Sequence, residues 1–339
     1  MITVREFHKI LDELYSRGYV LVRLHDICYE VTDPESGRKK MVYGDIMLPK
    51  GKKALVISQD DLCYYEYQNG CGLAQRIIPG KDGGLACEYI DANGAIHTGN
   101  YDLVPILDDF IKNHPDFSYR GARAVLGFTG YNGILGYRTD ESYSPSSPYY
   151  DPEMEDSPND SIDADRARAV EILKMLAGEG YELASHSWGH RDMNTVSLDG
   201  FQRDTDRWER NVQELIRKAV GEPSDIYIFP FGSDIGAVGG YARDIINADG
   251  QHPDGYARFM CLQKQGFRYY CNVNDNVFVQ KGEDYFRMGR IDIDGLKLWK
   301  GGMNPEKSCL SEFMDIFSVF DPVRLYCLDP AFRFHQSSE

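Results

Sequence analysis

The chain has 339 residues, 42% of them apolar and 12% aromatic, and a formal net charge of −16. That length suits an α/β barrel with insertions, and so acidic a surface argues against nucleic-acid binding, which needs a basic face. The eight cysteines contain no Cys-x-x-Cys pair, which argues against a thiolate zinc site and for buried free thiols. Met1–Glu6 lacks a basic-then-apolar leader and no stretch approaches membrane-spanning length, so neither a signal peptide nor a membrane span is expected in this chain.

Thr3 to Arg17 reads as a helix, with Thr3 as cap, Phe7, Ile10, Leu11 and Leu14 on one face and Gly18 as stop. A strand at Tyr19–Val22, a turn at Asp33–Gly37 and an apolar run at Met41–Met47 follow. Residues 1–50 are read as an extension packed on a catalytic barrel formed by 51–339. Ala54 to Ser58 is a strand that ends on Asp60-Asp61, and the Gly-rich stretch 80–99 fits a hairpin or insertion. Leu103–Asn113 is a helix, Arg123–Phe128 a strand, Thr139–Ser161 a long Ser/Pro/Tyr/Asp-rich surface loop, and Asp163–Gly180 a helix. Tyr181–Ala184 is a buried strand leading to His186-Ser187-Trp188-Gly189-His190. The helix Asp204–Val220 precedes the strand Ile226–Phe229, which runs into Pro230-Phe231-Gly232. Tyr256–Lys264 reads as a helix, Arg268–Asn272 and Tyr285–Asp292 as strands, and Glu306–Phe320 as a closing helix. Alternation of strand and helix from residue 54 implies a parallel sheet, and more than six such units favour a closed or nearly closed barrel of about seven parallel strands.

In such folds sites sit at the C-terminal strand ends, where the Asp pair, the His pair and Pro230-Phe231-Gly232 all fall. Two imidazoles four apart can share one side of a helical turn and are common metal ligands, though the pair alone is as often not a ligand pair. Adjacent carboxylates at a strand end serve a metal site or only cap a helix. Pro-Phe-Gly alone is equally a plain turn. Ser187 is read as a cap for the turn that follows it, and Asp192 as a surface residue or a partner of an imidazole.

Taken together, Ser58-Gln59-Asp60-Asp61, His186-Ser187-Trp188-Gly189-His190 and Phe229-Pro230-Phe231-Gly232, in this order, resemble the motifs of the polysaccharide deacetylase (NodB-homology) family. The resemblance implies a distorted (β/α) barrel of that family's type. It implies a divalent metal held by Asp61, His186 and His190: zinc first, with cobalt, nickel or manganese as alternatives. Asp60 would be the general base and the backbone N–H near Phe231 an oxyanion donor. The implied reaction is hydrolysis of an N-acetyl or O-acetyl group on a glycan, with a small amide as the other substrate class, and the implied location is extracytoplasmic or at the cell surface.

The pattern departs from the family in three places. Gln59 replaces an aromatic residue. Ile228 stands where an Arg normally pairs with the base, and Arg290, at a later strand end, is expected to replace it. The late Leu-x-His that supplies a general acid is missing: the corresponding stretch is Val323–Asp329, and His335 is a poor replacement. Asp292 and Asp294 resemble the acidic motif that tunes that His, or only cap a turn before Gly295. General-acid help is worth roughly 10²–10⁴-fold in rate, so a metal-retaining, non-catalytic carbohydrate-binding protein on the same scaffold stands as the alternative function.

Overall fold

The structure, a computed structural model, describes residues 1–321. The expected strand Val323–Asp329, Cys327 and His335 lie outside the described residues. Seven strands make the central sheet: β1 Ser58–Gln59, β2 Val125–Phe128, β3 Glu182–Ser185, β4 Ile226–Ile228, β5 Tyr269–Val273, β6 Val279–Lys281 and β7 Phe286–Arg290. They lie in the order β6-β7-β5-β4-β3-β2-β1. All neighbours are parallel except β6 and β7.

Among the described residues the expected closed or nearly closed barrel of parallel strands is therefore a curled half-barrel with one antiparallel edge. The reason lies in the short connection 282–285 between β6 and β7. A parallel return needs a crossover of about a dozen residues, so this connection permits only a hairpin. The sheet nevertheless curls. From β7 to β1 it spans five strand steps, on the order of 24 Å if it were flat. Yet Arg290, at the end of β7, places its guanidinium 2.8 Å from Asp60, just beyond β1. Only a strongly curved half-barrel brings those two strand ends together.

Alternation along the strands gives the sheet two buried faces. Leu126, Phe128, Leu183, Tyr227, Phe229 and Tyr270 join the large core beneath the helices. Val125, Ala184, Ile226, Ile228, Tyr269, Cys271, Phe286 and Met288 point the other way, into the concave side, where Leu24, Cys28 and Met41 complete the cluster. Residues 24–41 thus plug the concavity, whereas Phe7, Ile10, Leu11, Leu14, Tyr19 and Leu21 join the large core. Helix Val4–Ser16 is capped by Thr3, whose Oγ1 accepts the Glu6 N–H while Glu6 caps the Thr3 N–H in return. Strand Tyr19–Leu21 pairs in parallel with Lys53–Leu55. The run expected at Met41–Met47 instead pairs as Lys39–Tyr43 with Cys28–Thr32, in a hairpin around the predicted turn.

His25 fastens this plug to the N-terminal ends of β3 and β4. Its Nδ1 lies 2.5 Å from Glu182 Oε1 and its Nε2 3.0 Å from Asp225 Oδ1. Burial alone would lower the His25 pKa, but hydrogen bonds and charge from Asp225 and Glu182 overcome it and raise it to about 10. A folded pKa above the unfolded value contributes stability that is fully present below about pH 6.5 and is lost as pH rises through about 10. Thermal unfolding of the wild type and His25→Gln between pH 6 and 11 is expected to show a gap in Tm at pH 6 that closes by pH 11. A gap constant across that range would contradict this role.

Residues 74–99 form three antiparallel strands, Ala74–Pro79, Leu85–Ile90 and Ile96–Gly99. The helix expected from Asp204 starts six residues earlier, at Leu198, and passes through a π-turn at Glu209–Gln213 before ending at Val220. The expected closing helix Glu306–Phe320 is broken into short turns at Pro305–Lys307, Cys309–Glu312 and Ile316–Val319. Ser308 and Asp315 each cap a new start there, which divides the run. Loop 139–161 is not wholly a surface loop: Thr139, Asp140, Ser142 and Tyr143 are buried. All cysteines among the described residues are free thiols, and Cys28, Cys63, Cys87 and Cys271 are buried. No helix among the described residues is long and apolar enough to cross a membrane.

Candidate metal centre

Asp61, His186 and His190 converge at the C-terminal ends of β1 and β3, with one potential ligand atom from each lying within 4.8 Å of the other two. A carboxylate and two imidazoles are a common open zinc set. The surroundings fit that use. Asp61 Oδ1 accepts hydrogen bonds from Tyr65 OH at 2.6 Å and Thr129 Oγ1 at 2.7 Å. Its Oδ2 faces His190 Nε2 at 3.7 Å. His186 Nδ1 lies 3.0 Å from the Ile228 carbonyl. A carbonyl only accepts, so Nδ1 carries the proton and the Nε2 lone pair is left facing the centre. Burial lowers the pKa of His190, opposed by Asp61, which favours the neutral imidazole that binds metal.

The two histidines do not share a helical turn, as their spacing suggested. Residues 186–190 form a loop in which Ser187 (φ 62°) and His190 (φ 46°) are left-handed, as is Asp61 (φ 60°). Left-handed non-glycine residues are costly and cluster at functional sites. Ser187 is not the cap expected: its Oγ is buried and makes no hydrogen bond among the described residues. The loop is held instead by Asp204, which accepts the Trp188 and Gly189 N–H groups, both at 2.8 Å.

Asp60 points to the same centre, with Oδ2 3.9 Å from His186 Nε2. Arg290 grips it with both arms of its fork, Nη1 to Oδ1 at 2.8 Å and Nη2 to Oδ2 at 3.0 Å, and also donates to Ser58 Oγ at 2.8 Å. The separation is well within ion-pair reach. Burial alone would raise the Asp60 pKa, but the charge of Arg290, with His186, holds it down at about 2.

Phe231 sits on the rim, 69% exposed and left-handed (φ 58°), its ring centroid 4.6 Å from that of His190. The following Gly232 (φ 67°) must be glycine, because a Cβ there would lie 2.6 Å from the Val273 side chain. Gln59 donates to both oxygens of Asp102. Asp192 accepts from Ser233 Oγ at 2.6 Å, joining the loops that follow His190 and Phe231, and hydrogen-bonds no imidazole among the described residues. Asp294 caps the helix Gly295–Met303 through the Lys297 N–H. Sequence reasoning missed Tyr65, Thr129 and Asp204. The first two follow the ends of β1 and β2, where a polar residue after an apolar run was the available signal; Asp204 had none.

Residues 157–252 match the family model described as polysaccharide deacetylase. Over that stretch, less than a third of its length, the chain is similar to polysaccharide deacetylases. The segment contains His186, His190 and Phe231; Asp60, Asp61 and Arg290 lie outside it. An uncharacterised 30.6 kDa protein of Geobacillus stearothermophilus is 32% identical over 62 residues, 18% of this chain, and the match spans 22% of that relative's length. Among solved structures, a de-N-acetylase from Aggregatibacter actinomycetemcomitans aligns at 14% identity and TM-score 0.41, covering 85% of this chain and 83% of that one. A putative polysaccharide deacetylase from Mycobacterium smegmatis aligns at 13% identity and TM-score 0.29, covering 56% and 45%.

Proposed function

We propose that the chain is a metal-dependent hydrolase that removes N-acetyl or O-acetyl groups from a carbohydrate polymer. The observation that carries this reading is the Asp60–Arg290 fork set against the triad Asp61, His186 and His190. A divalent ion held by Asp61 Oδ2 and the two Nε2 atoms, most simply zinc, would supply Lewis acidity and a more acidic water. Asp60 stays ionised at neutral pH and takes the proton of the attacking water. Arg290 fixes the plane of that carboxylate, so the proton is accepted at a defined position. Phe231 contributes the backbone N–H proposed for the developing oxyanion.

Exposed rings beside the centre support a glycan over a small amide. Phe231 stands beside His190, and Tyr67, 63% exposed, stacks at 5.2 Å on Tyr65, whose phenol bonds Asp61. Solvent-facing aromatic rings offer flat apolar surface to the C–H faces of sugars.

One observation favours the second reading, a metal-retaining carbohydrate-binding protein without catalysis. Among the described residues, His25, His97, His114 and His252 bond Glu182 and Asp225, Asp91, the Phe110 carbonyl and Asn194 in turn, none of them a triad residue. These four rings are thus engaged away from the triad. The zinc-reconstituted protein, assayed across N-acetylated and O-acetylated oligosaccharides and small acetamides, is expected to release acetate from an oligosaccharide. Metal-loaded protein that binds such a glycan and releases no acetate would replace the hydrolase with the binding protein.

A further inference from the structure

We propose that Asp204 is the positioning residue that presets the two imidazoles as one chelating unit; this rests on the metal-centre part of the reading above, not on hydrolysis. Asp204 lies on helix Leu198–Trp208, fourteen residues after His190, and is 3% exposed. Its Oδ1 takes the Trp188 N–H and its Oδ2 the Gly189 N–H, each at 2.8 Å. These are consecutive donors in the middle of the turn between the ligands. A carboxylate that accepts both holds that turn from beneath while touching neither imidazole.

The turn needs such a hold. Ser187 (φ 62°) and His190 (φ 46°) occupy backbone conformations that L side chains adopt rarely. The Ser187 hydroxyl, buried and without a hydrogen-bond partner among the described residues, contributes none. Gly189 lets the carboxylate approach, since a Cβ at 189 would stand 3.0 Å from Asp204 Oδ2. The same helix grips the Trp188 ring. Arg207, one turn beyond Asp204, places its guanidinium 3.4 Å over the indole. Asp140 accepts the indole N–H at 2.8 Å. Trp188 is thus fastened by backbone and ring, and the imidazoles on either side of it hang from a fixed point. Without the clamp, a metal must order the turn as it binds, and affinity falls by the cost of that ordering.

The test uses the full chain titrated with Zn²⁺ and, in parallel, Co²⁺, whose visible absorption reports ligand geometry. Asp204→Asn keeps the size of the side chain but turns an amide N–H₂ toward a backbone donor. It is expected to weaken zinc binding roughly 10–100-fold, the range found for residues that support metal ligands, and to alter the cobalt spectrum. Asp206→Asn, at an exposed position of the same helix bonded to Gln265, is expected to match the wild type in both. A folded Asp204→Asn with wild-type zinc affinity and cobalt spectrum would overturn the proposal. Gly189→Ala, which crowds Asp204 from the other side, covers the case in which Asp204→Asn does not fold. It is expected to weaken zinc binding in the same direction, and unchanged affinity there would equally overturn the clamp. If the wild type binds no zinc, the metal reading itself fails. If the wild type binds and both variants match it, only the clamp fails.

Discussion

His186→Ala, His190→Ala and Asp61→Asn are each expected to lose the stoichiometric divalent ion, taking bound metal from about one per chain to background by elemental analysis. The reason is geometric. Three ligand atoms lie within 4.8 Å of one another, and two protein ligands in place of three leave a weak, solvent-exchanging site. The loss should be most complete for His186, which is 2% exposed and held at Nδ1 by the Ile228 carbonyl. Asp61→Asn tests the carboxylate separately: its amide could still meet Tyr65 and Thr129 but would bring no charge to the ion. Wild-type metal content in any of the three would reject that residue as a ligand. Lowering the pH should release the ion from the wild type as the imidazoles protonate.

Asp60→Asn should have the opposite profile, retaining the metal and cutting acetate release by roughly 10²–10⁴-fold, the range expected when a general base is lost. Asp60 faces His186 at 3.9 Å, yet its oxygens are engaged by Arg290 rather than by a ring nitrogen. Arg290→Gln should also spare the metal while lowering activity. It leaves Asp60 without the charge that holds its carboxyl at about 2, and burial then drives that value up. The side chains of Arg290 and Asp60 are 15% and 29% exposed. Breaking the pair should therefore destabilise the fold by roughly 1–3 kcal/mol, less than a fully buried pair would. Chemical denaturation of Arg290→Gln beside metal analysis separates the two effects. Loss of metal in Asp60→Asn would move Asp60 from base to ligand.

The sequence reveals the ends of strands more readily than the path between them. Asp60-Asp61 and His186…His190 are visible because each follows an apolar run, and such runs end at sites in parallel sheets. Arg290 is visible as a strand-end residue. That it reaches Asp60 depends on curvature across five strand steps, which no local pattern encodes. The hairpin Val279–Lys281 to Phe286–Arg290 escaped notice because Val277-Phe278-Val279 is too short a run to stand out, and with it went the antiparallel edge. The His spacing suggested a helical turn because period is the only geometry a sequence offers. The actual loop is set by Asp204 on a later helix, a contact invisible to spacing. Thr129 acts on Asp61 in the same long-range manner, whereas Tyr65 reaches it from four residues on.

Anomalous diffraction at the zinc edge, on crystals of the full chain grown with zinc, locates the ion outright. One strong peak is expected about 2.0–2.2 Å from Asp61 Oδ2, His186 Nε2 and His190 Nε2, with Asp60 still forked by Arg290. A peak elsewhere, or none between these three residues at saturating zinc, would contradict that expectation.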